Sequence, residues 1–515
     1  MQYMCIDKIF PEYEVFNKFC SDTVIPALGM DTLQNSHPIE MPLKDARDIA
    51  QVFDYITYSK GASVLFMLHE FIGAKIFKEA LQEYIEEFSY DNATSRELWR
   101  VLSEQSQMDV GSIMNSWIRE LGFPCITVEV MTDPRDTPGS IAIELTQERF
   151  SSTKDSKSKM IWNIPVRGIY MTQSGKLSHF DVLFDSELVR IDLPDMNMDH
   201  QHCWIKLNPK MIGFYRVQYC KQLFDCLLQN LSSEHVSAID RISLFDDQFA
   251  MVLSQGSSTT RILQMVKLFR EIETSVAVWR KVIGVLHQIR SLTWSSEDTA
   301  NAFEQFCIET LRPLLDSVGI NPRSEDSDNA TMLRATVFSK LAVLRDPMVL
   351  QAAAEMFRSH VEEVGVIPAS LRAAVFRGVM VKANLTTLSQ MKTLYRQTEL
   401  AEDRVSMLSA IGCAGDPNVL THSLEFALSD EVEPQEAINT LVTAAASRQG
   451  YKLTWTFFVQ NASRIVNRYI DSLFLFGRLI KVIEIPPKVP LITHAMMVIK
   501  YASQEHIQAL IDKNN

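Results

Sequence analysis

The sequence predicts a mixed, mainly α-helical fold built from three segments. Helices occupy residues 1–120, a small antiparallel β-sandwich 121–219, and an α-solenoid, or helical superhelix, 220–515. Two observations predict this. The apolar period changes from helical to alternating near Gly122-Phe-Pro124, and returns to helical near residue 220. A short motif also recurs late in the chain. Asp346-Pro347-Met-Val349-Leu350 reappears as Asp416-Pro417-Asn-Val419-Leu420, as stacked helical repeats do.

In the first segment, Val64, Leu65, Leu68, Phe71 and Ile72 recur at helical spacing after Ser59-Lys60-Gly61. Thr94-Ser-Arg-Glu97 has the form of a capping box, in which a hydroxyl and a carboxylate each satisfy an orphan backbone N–H. The second segment alternates at Ile126/Val128/Val130, Ile141/Ile143/Leu145, Val182/Phe184, Val189/Ile191/Leu193 and Ile205/Leu207. Asp133-Pro134, Pro138-Gly139, Ser174-Gly175 and Asn208-Pro209 punctuate it, so about seven short strands are expected. Ser151–Lys159 reads as a polar, hairpin-like loop. In the third segment, Asp at the N-cap and Pro at the first helical position suit helix starts. Pro368 and Pro434 mark a second start in each repeat, Gly319–Thr331 is a polar loop, and Glu484–Pro490 interrupts any helix.

Composition excludes several classes. Only 18 Gly and 19 Pro in 515 residues argue against collagen-like or linker-rich chains. The net charge of −13 lacks the basic footprint of a nucleic-acid binder. Residues 1–120 hold 10 Lys+Arg against 19 Asp+Glu, so −9 of that charge lies there; we read it as solvated helix surface. Eight Cys without C-x-x-C spacing fit a reducing cytoplasm better than a disulfide framework. Five N-x-S/T sequons, with no signal peptide ahead of them, read as chance. No apolar run approaches the roughly 20 residues of a membrane helix, so no membrane span is expected.

Motifs for chemistry are sparse. His69-Glu70 is followed by Gly73 where H-E-x-x-H needs its second His. His200-x-His202, near Asp195 and Asp199, can chelate only with a third ligand that the sequence does not display, and a solvated loop is the better reading. Nucleophile-elbow, Walker A and dinucleotide-binding motifs are absent. What stands out is Phe53-Asp-Tyr-Ile-Thr-Tyr58-Ser-Lys-Gly-Ala62-Ser63. It sets the Tyr58 phenol, a neutral donor that can steady an oxyanion, at a helix mouth. The residues alone favour the plainer reading, a half-buried aromatic beside a cap.

Four segments carry a resemblance: Met30–Ile39, Phe53–Ser63, Trp117-Ile-Arg-Glu-Leu-Gly-Phe-Pro124 and Gly213-Phe-Tyr-Arg-Val-Gln-Tyr219. In this order they strongly resemble the gluzincin zinc aminopeptidase family, over roughly residues 1–484. The resemblance implies that residues 1–120 are the remainder of a thermolysin-like catalytic domain, followed by the family's sandwich and superhelix. It implies that Tyr58 stands at the position of the catalytic tyrosine, with peptides as substrates. It also implies zinc as the family's cofactor, held by H-E-x-x-H and a distal Glu, and amine recognition by G-A-M-E-N.

None of those three elements occurs in the 515 residues. The expectation is therefore a fragment that is inactive as given, binds no cofactor of its own, and begins just after the metal ligands. The alternative is a non-catalytic α-solenoid protein that binds peptides or a protein partner. An apolar face left exposed on residues 1–120 is expected in either case. Pro486–Asn515 departs from the family pattern.

Overall fold

The computed structural model describes residues 2–33, 36–41, 53–131, 141–151, 160–197, 202–254, 256–294 and 296–469. The loop read at Ser151–Lys159 and the break at Glu484–Pro490 lie wholly or almost wholly outside them. The chain divides into two compact units, Met1–Val282 and Ile283–Asn515.

The first unit opens with α1 (Gln2–Ile9), α2 (Val15–Phe19), α3 (Ile25–Asp31), α4 (Gly61–Ile72), α5 (Ala74–Glu87), α6 (Ser95–Ser106) and α7 (Val110–Ile118). A π-turn, Cys20–Val24, joins α2 to α3, and a second, Ile56–Lys60, leads into α4. The expected apolar stripe of α4 buries Val64, Leu68 and Ile72, together with Met67, but leaves Leu65 exposed. The capping box of α6 is formed: Thr94 donates to Glu97 Oε2 from its backbone N (2.5 Å) and its hydroxyl (2.8 Å).

Seven strands follow: β1 (Pro124–Met131), β2 (Ile141–Arg149), β3 (Ile164–Met171), β4 (Leu177–Phe184), β5 (Leu188–Leu193), β6 (Ile205–Leu207) and β7 (Arg216–Tyr219). They form sheets of order β5-β2-β1-β7 and β4-β3-β6. All pairs are antiparallel except β1 with β7, which run parallel with Cys125 opposite Arg216. Strand β3 escapes the alternation test because its residues are buried on both faces. Helices α8 (Lys221–Gln229), α9 (Ala238–Leu253) and α10 (Thr259–Ile272) complete the unit, and α11 (Val276–Thr293) runs across its boundary.

The second unit is helical among the described residues. It contains α12 (Glu297–Val318), α13 (Asp328–Val343), α14 (Pro347–Val361), α15 (Arg372–Val381), α16 (Leu385–Gln397), α17 (Ala401–Ile411), α18 (Pro417–Ala427), α19 (Pro434–Ala445), α20 (Tyr451–Gln460) and α21 (Ala462–Tyr469). Helix α13 packs on α15, α15 on α17 and α17 on α19. The repeated Asp-Pro motif does what its chemistry predicts. Asp346 Oδ1 accepts from Val349 N, and Asp416 Oδ1 from Asn418 N and Val419 N. Pro434 heads α19, whereas Pro368 precedes a short 3₁₀ turn, Ala369–Leu371, that runs into α15. The loop expected at Gly319–Thr331 ends earlier, since Asp328 already begins α13.

No described helix is long and apolar enough to cross a membrane. On residues 1–120, Ile9, Phe10, Tyr13, Phe53, Tyr55, Leu65 and Ile85 are exposed, and α1 buries no side chain.

Where α17 ends, Gly412 lets two helices approach closely. A Cβ there would lie 2.5 Å from the Thr440 carbonyl oxygen and 3.1 Å from Ala444 N, both backbone atoms of α19. Gly412→Ala should therefore destabilise the helical unit by about 1–3 kcal/mol, read as a lower midpoint in urea unfolding. An unchanged midpoint would show that the contact yields without cost.

Candidate active-site turn and its anchor

Tyr58 sits in the π-turn ahead of α4, and π-turns inside helices are frequent at functional sites. Its side chain is 60% exposed and rests against Phe53, ring centroids 5.9 Å apart. The turn is fixed by Asp54, which acts as its cap. Asp54 Oδ1 accepts from Ile56 N (2.9 Å) and Thr57 N (3.0 Å), and its carbonyl accepts from Tyr58 N (3.1 Å). The other carboxylate oxygen lies 2.8 Å from His37 Nε2.

His37 is held from both sides, because its Nδ1 lies 2.8 Å from the Pro38 carbonyl oxygen. Partial burial pulls its pKa down. The Pro38 carbonyl and the Asp54 carboxylate outweigh that and raise it above the ordinary 6.5. Two acceptors around one imidazole favour the doubly protonated ring.

Behind this turn lies an ion pair with no solvent access. Lys60 Nζ is 2.8 Å from Asp31 Oδ2, and both side chains are 0% exposed. Lys60 also donates to the carbonyls of Gly122 (3.0 Å) and Glu120 (3.4 Å). Asp31 Oδ1 accepts from Gly122 N (3.0 Å) and Ser36 Oγ (2.6 Å). Burial lowers the Lys60 pKa, and Asp31 opposes that pull. Gly122 takes φ of +85°, a conformation that favours glycine, with the Arg149 side chain directly against its α-carbon. Phe214 faces the Lys60 ammonium at 5.9 Å and packs edge-on to Phe123. Four sequence segments far apart in the chain thus meet at one point.

A metal finds no place among these groups. Among the described residues, no cluster of three or more His, Cys, Asp or Glu can hold an ion. His37–Asp54 and His69–Glu70 are pairs only, and His69 packs against Phe66 and Phe77. His202 is described, but its partner His200 lies outside the described residues. The described groups around Tyr58 thus form pairs and not a metal-binding cluster. Sequence reasoning singled out Tyr58 but missed His37, Asp54 and the Asp31–Lys60 pair. Only Asp54 left a signal, as a capping residue two to three positions ahead of the N–H groups it binds.

An exposed phenol thus stands on a capped turn ahead of the seven strands of this unit. Residues 1–117 match the Peptidase family M1 domain, and residues 204–484 match the ERAP1-like C-terminal domain. The chain belongs to the M1 family of gluzincin aminopeptidases. Similar proteins include Aminopeptidase M1 of Arabidopsis thaliana, 28% identical over 503 residues, covering 94% of this chain and 55% of the relative. Glutamyl aminopeptidase of Sus scrofa is 28% identical over 495 residues, covering 94% of this chain and 50% of its own. Aminopeptidase 2, mitochondrial, of Saccharomyces cerevisiae is 28% identical over 486 residues, covering 93% and 49%. The chain thus spans about half the length of the relatives it matches.

Two outcomes check this site. Lys60→Met strands the Asp31 charge in the interior and should cost about 3–5 kcal/mol in urea unfolding. The double variant Asp31→Asn/Lys60→Met should recover part of that loss. A single variant within 1 kcal/mol of the parent, by the same principle, would show the pair to be dispensable. For His37, the raised folded pKa means its pairing with Asp54 stabilises fully below the unfolded value of 6.5. That contribution is lost as pH rises through the folded pKa. The His37 ring should titrate above 6.5 by NMR, and Asp54→Asn should lower that midpoint; titration unmoved by the substitution would disprove the coupling.

Proposed function

We propose that this chain carries the oxyanion-stabilising part of an aminopeptidase site, and that its 515 residues alone do not hydrolyse peptides. Tyr58 is the residue we assign to catalysis. The reading rests on its geometry: an exposed phenol on a turn whose backbone N–H groups are capped and whose far side is locked by a buried ion pair. A neutral O–H held in a fixed position can donate to the oxyanion that forms when the first peptide carbonyl becomes tetrahedral. Such a donor supplies neither a nucleophile nor a base. The sequence contains no H-E-x-x-H and no G-A-M-E-N to provide them or to bind the substrate's free amine. We place the domain limits at 1–120, 121–219 and 220–515. The substrate class is peptides with a free N-terminus, and the compartment is the cytoplasm. Within the family, Phe10–Tyr13, Ser36–Glu40 and Asn467–Tyr469 look most like puromycin-sensitive aminopeptidase.

The purified chain, given an aminoacyl fluorogenic substrate and excess zinc, should release no more fluorophore than zinc alone. Elemental analysis after gel filtration should find no stoichiometric zinc. Turnover that is abolished both by a chelator and by Tyr58→Phe would overturn the claim of inactivity while supporting the role of Tyr58.

A further inference from the structure

Within the helical unit, helices α11, α12 and α13 border a half-open cavity with about 30 Å³ of inner space. Ile283, Leu286, Cys307 and Leu311 give it apolar walls, and His287, Arg290 and Lys340 supply its polar lining. Positive charge is concentrated here. His287 and Arg290 lie one helical turn apart on α11 and so share a face. Lys340 comes from α13, and Arg377 from α15, which packs on α13.

The anionic side is thin. Among the described residues, the one carboxylate paired with any of these groups is Glu304. It is already engaged by Arg290, through Nε at 2.8 Å and Nη2 at 2.6 Å, with Arg448 at 3.8 Å. Arg377 gives one N–H to Ser339 Oγ (2.8 Å), while its Nε is buried with no acceptor among protein groups. Among the described residues, Lys340 has neither a hydrogen-bond acceptor nor an ion-pair partner. Burial, followed by the fields of Arg377 and Arg290, pulls its ammonium down to about 8. The same causes, burial first and then Lys340, Arg290 and Arg377, drive His287 down to about 4, so it is neutral near pH 7. A half-buried ammonium beside two guanidinium groups favours an anionic neighbour.

We propose that this cavity binds a small inorganic monoanion of halide size, held by the Lys340 ammonium with Arg290 and Arg377 supplying the positive field. Size selects the class. At roughly 10–15 Å³ per water on this measure, the inner space takes about two or three water-sized occupants, so a bare halide fits it more readily than a phosphate or the carboxylate end of a peptide. The apolar walls favour a weakly hydrated ion and strengthen each charge-assisted contact.

The test is thermal unfolding of the full chain in sodium chloride against sodium gluconate at constant ionic strength, with ³⁵Cl NMR line broadening as a second readout. Chloride and bromide should raise the melting temperature saturably, and bromide should displace the broadened chloride signal. Phosphate and sulfate should have no such effect. Lys340→Met removes a half-buried cation with no ion pair among the described residues, so it should fold in gluconate at least as stably as the parent. It should also weaken chloride binding about tenfold or more. Arg377→Gln, which leaves the ammonium in place, should weaken binding by a smaller factor. Equal melting in chloride and gluconate would overturn the proposal. So would a chloride shift retained in Lys340→Met, or a response to phosphate but not to halides.

Discussion

The Asp31–Lys60 ion pair is the constraint on which the first unit depends. Two opposite charges with no solvent exposure hold together only if their remaining donors and acceptors are satisfied. Here the backbone does most of that work: Gly122 supplies both an N–H to Asp31 and a carbonyl to Lys60. The requirement propagates outward. Gly122 must adopt φ of +85°, the chain must turn there from α7 into β1, and the turn bearing Tyr58 must present Lys60 from its inner side. The pair therefore does more than stabilise. It fixes the angle at which a helical segment enters a β-sandwich, and it fixes the turn from which the phenol projects.

A second buried network ties the sandwich to the helix that follows it. Arg216 of β7 donates to Asp246 (2.7 Å) and Asp247 (2.9 Å) of α9, and Asp247 also accepts from Val217 N (3.1 Å). Lys281 completes the neutralisation at Asp246. The two neighbouring carboxylates diverge. Burial favours protonation of both, but Lys281 and Arg216 hold Asp246 below its ordinary value, whereas at Asp247 burial and the Asp246 charge prevail over Arg216 and raise it. Met211, in the turn before β7, receives the Cys20 thiol at 3.1 Å, so the π-turn between α2 and α3 reaches the same region. Helical entry, sandwich and α9 thus form one polar-pinned core rather than three independent packings.

Much of this was legible in the sequence, for reasons that can be named. Period changes located the helical and stranded segments because burial on one face leaves a period of 3.6 or 2. Asp-Pro marked helix starts because an N-cap acts through its nearest neighbours. What was not legible is what depends on distance. Strand β3 is covered on both faces and so carries no alternation. Asp31 and Lys60 are 29 positions apart, and nothing in either segment announces the other. The parallel pairing of β1 with β7 sets Cys125 opposite Arg216, far along the chain, whereas the antiparallel expectation came from short turns between neighbours. The resemblance marked the segment Gly213–Tyr219, but only the structure explains it. Phe214 faces Lys60, Arg216 binds two carboxylates, and the Tyr219 hydroxyl accepts from Leu207 N at 2.7 Å.

The placement of Tyr58 has a consequence for how its role is to be understood. Among the described residues, its turn is fixed by Asp54 and His37 at the cap, Asp31 and Lys60 behind it, and Gly122 and Phe214 beyond. An oxyanion donor is effective because it is aimed before the charge appears, so that no reorganisation is required at the moment of reaction. Among the described residues, the 31–60–122 junction and the Asp54 cap hold the turn in this way, and the role proposed above for Tyr58 draws on that support.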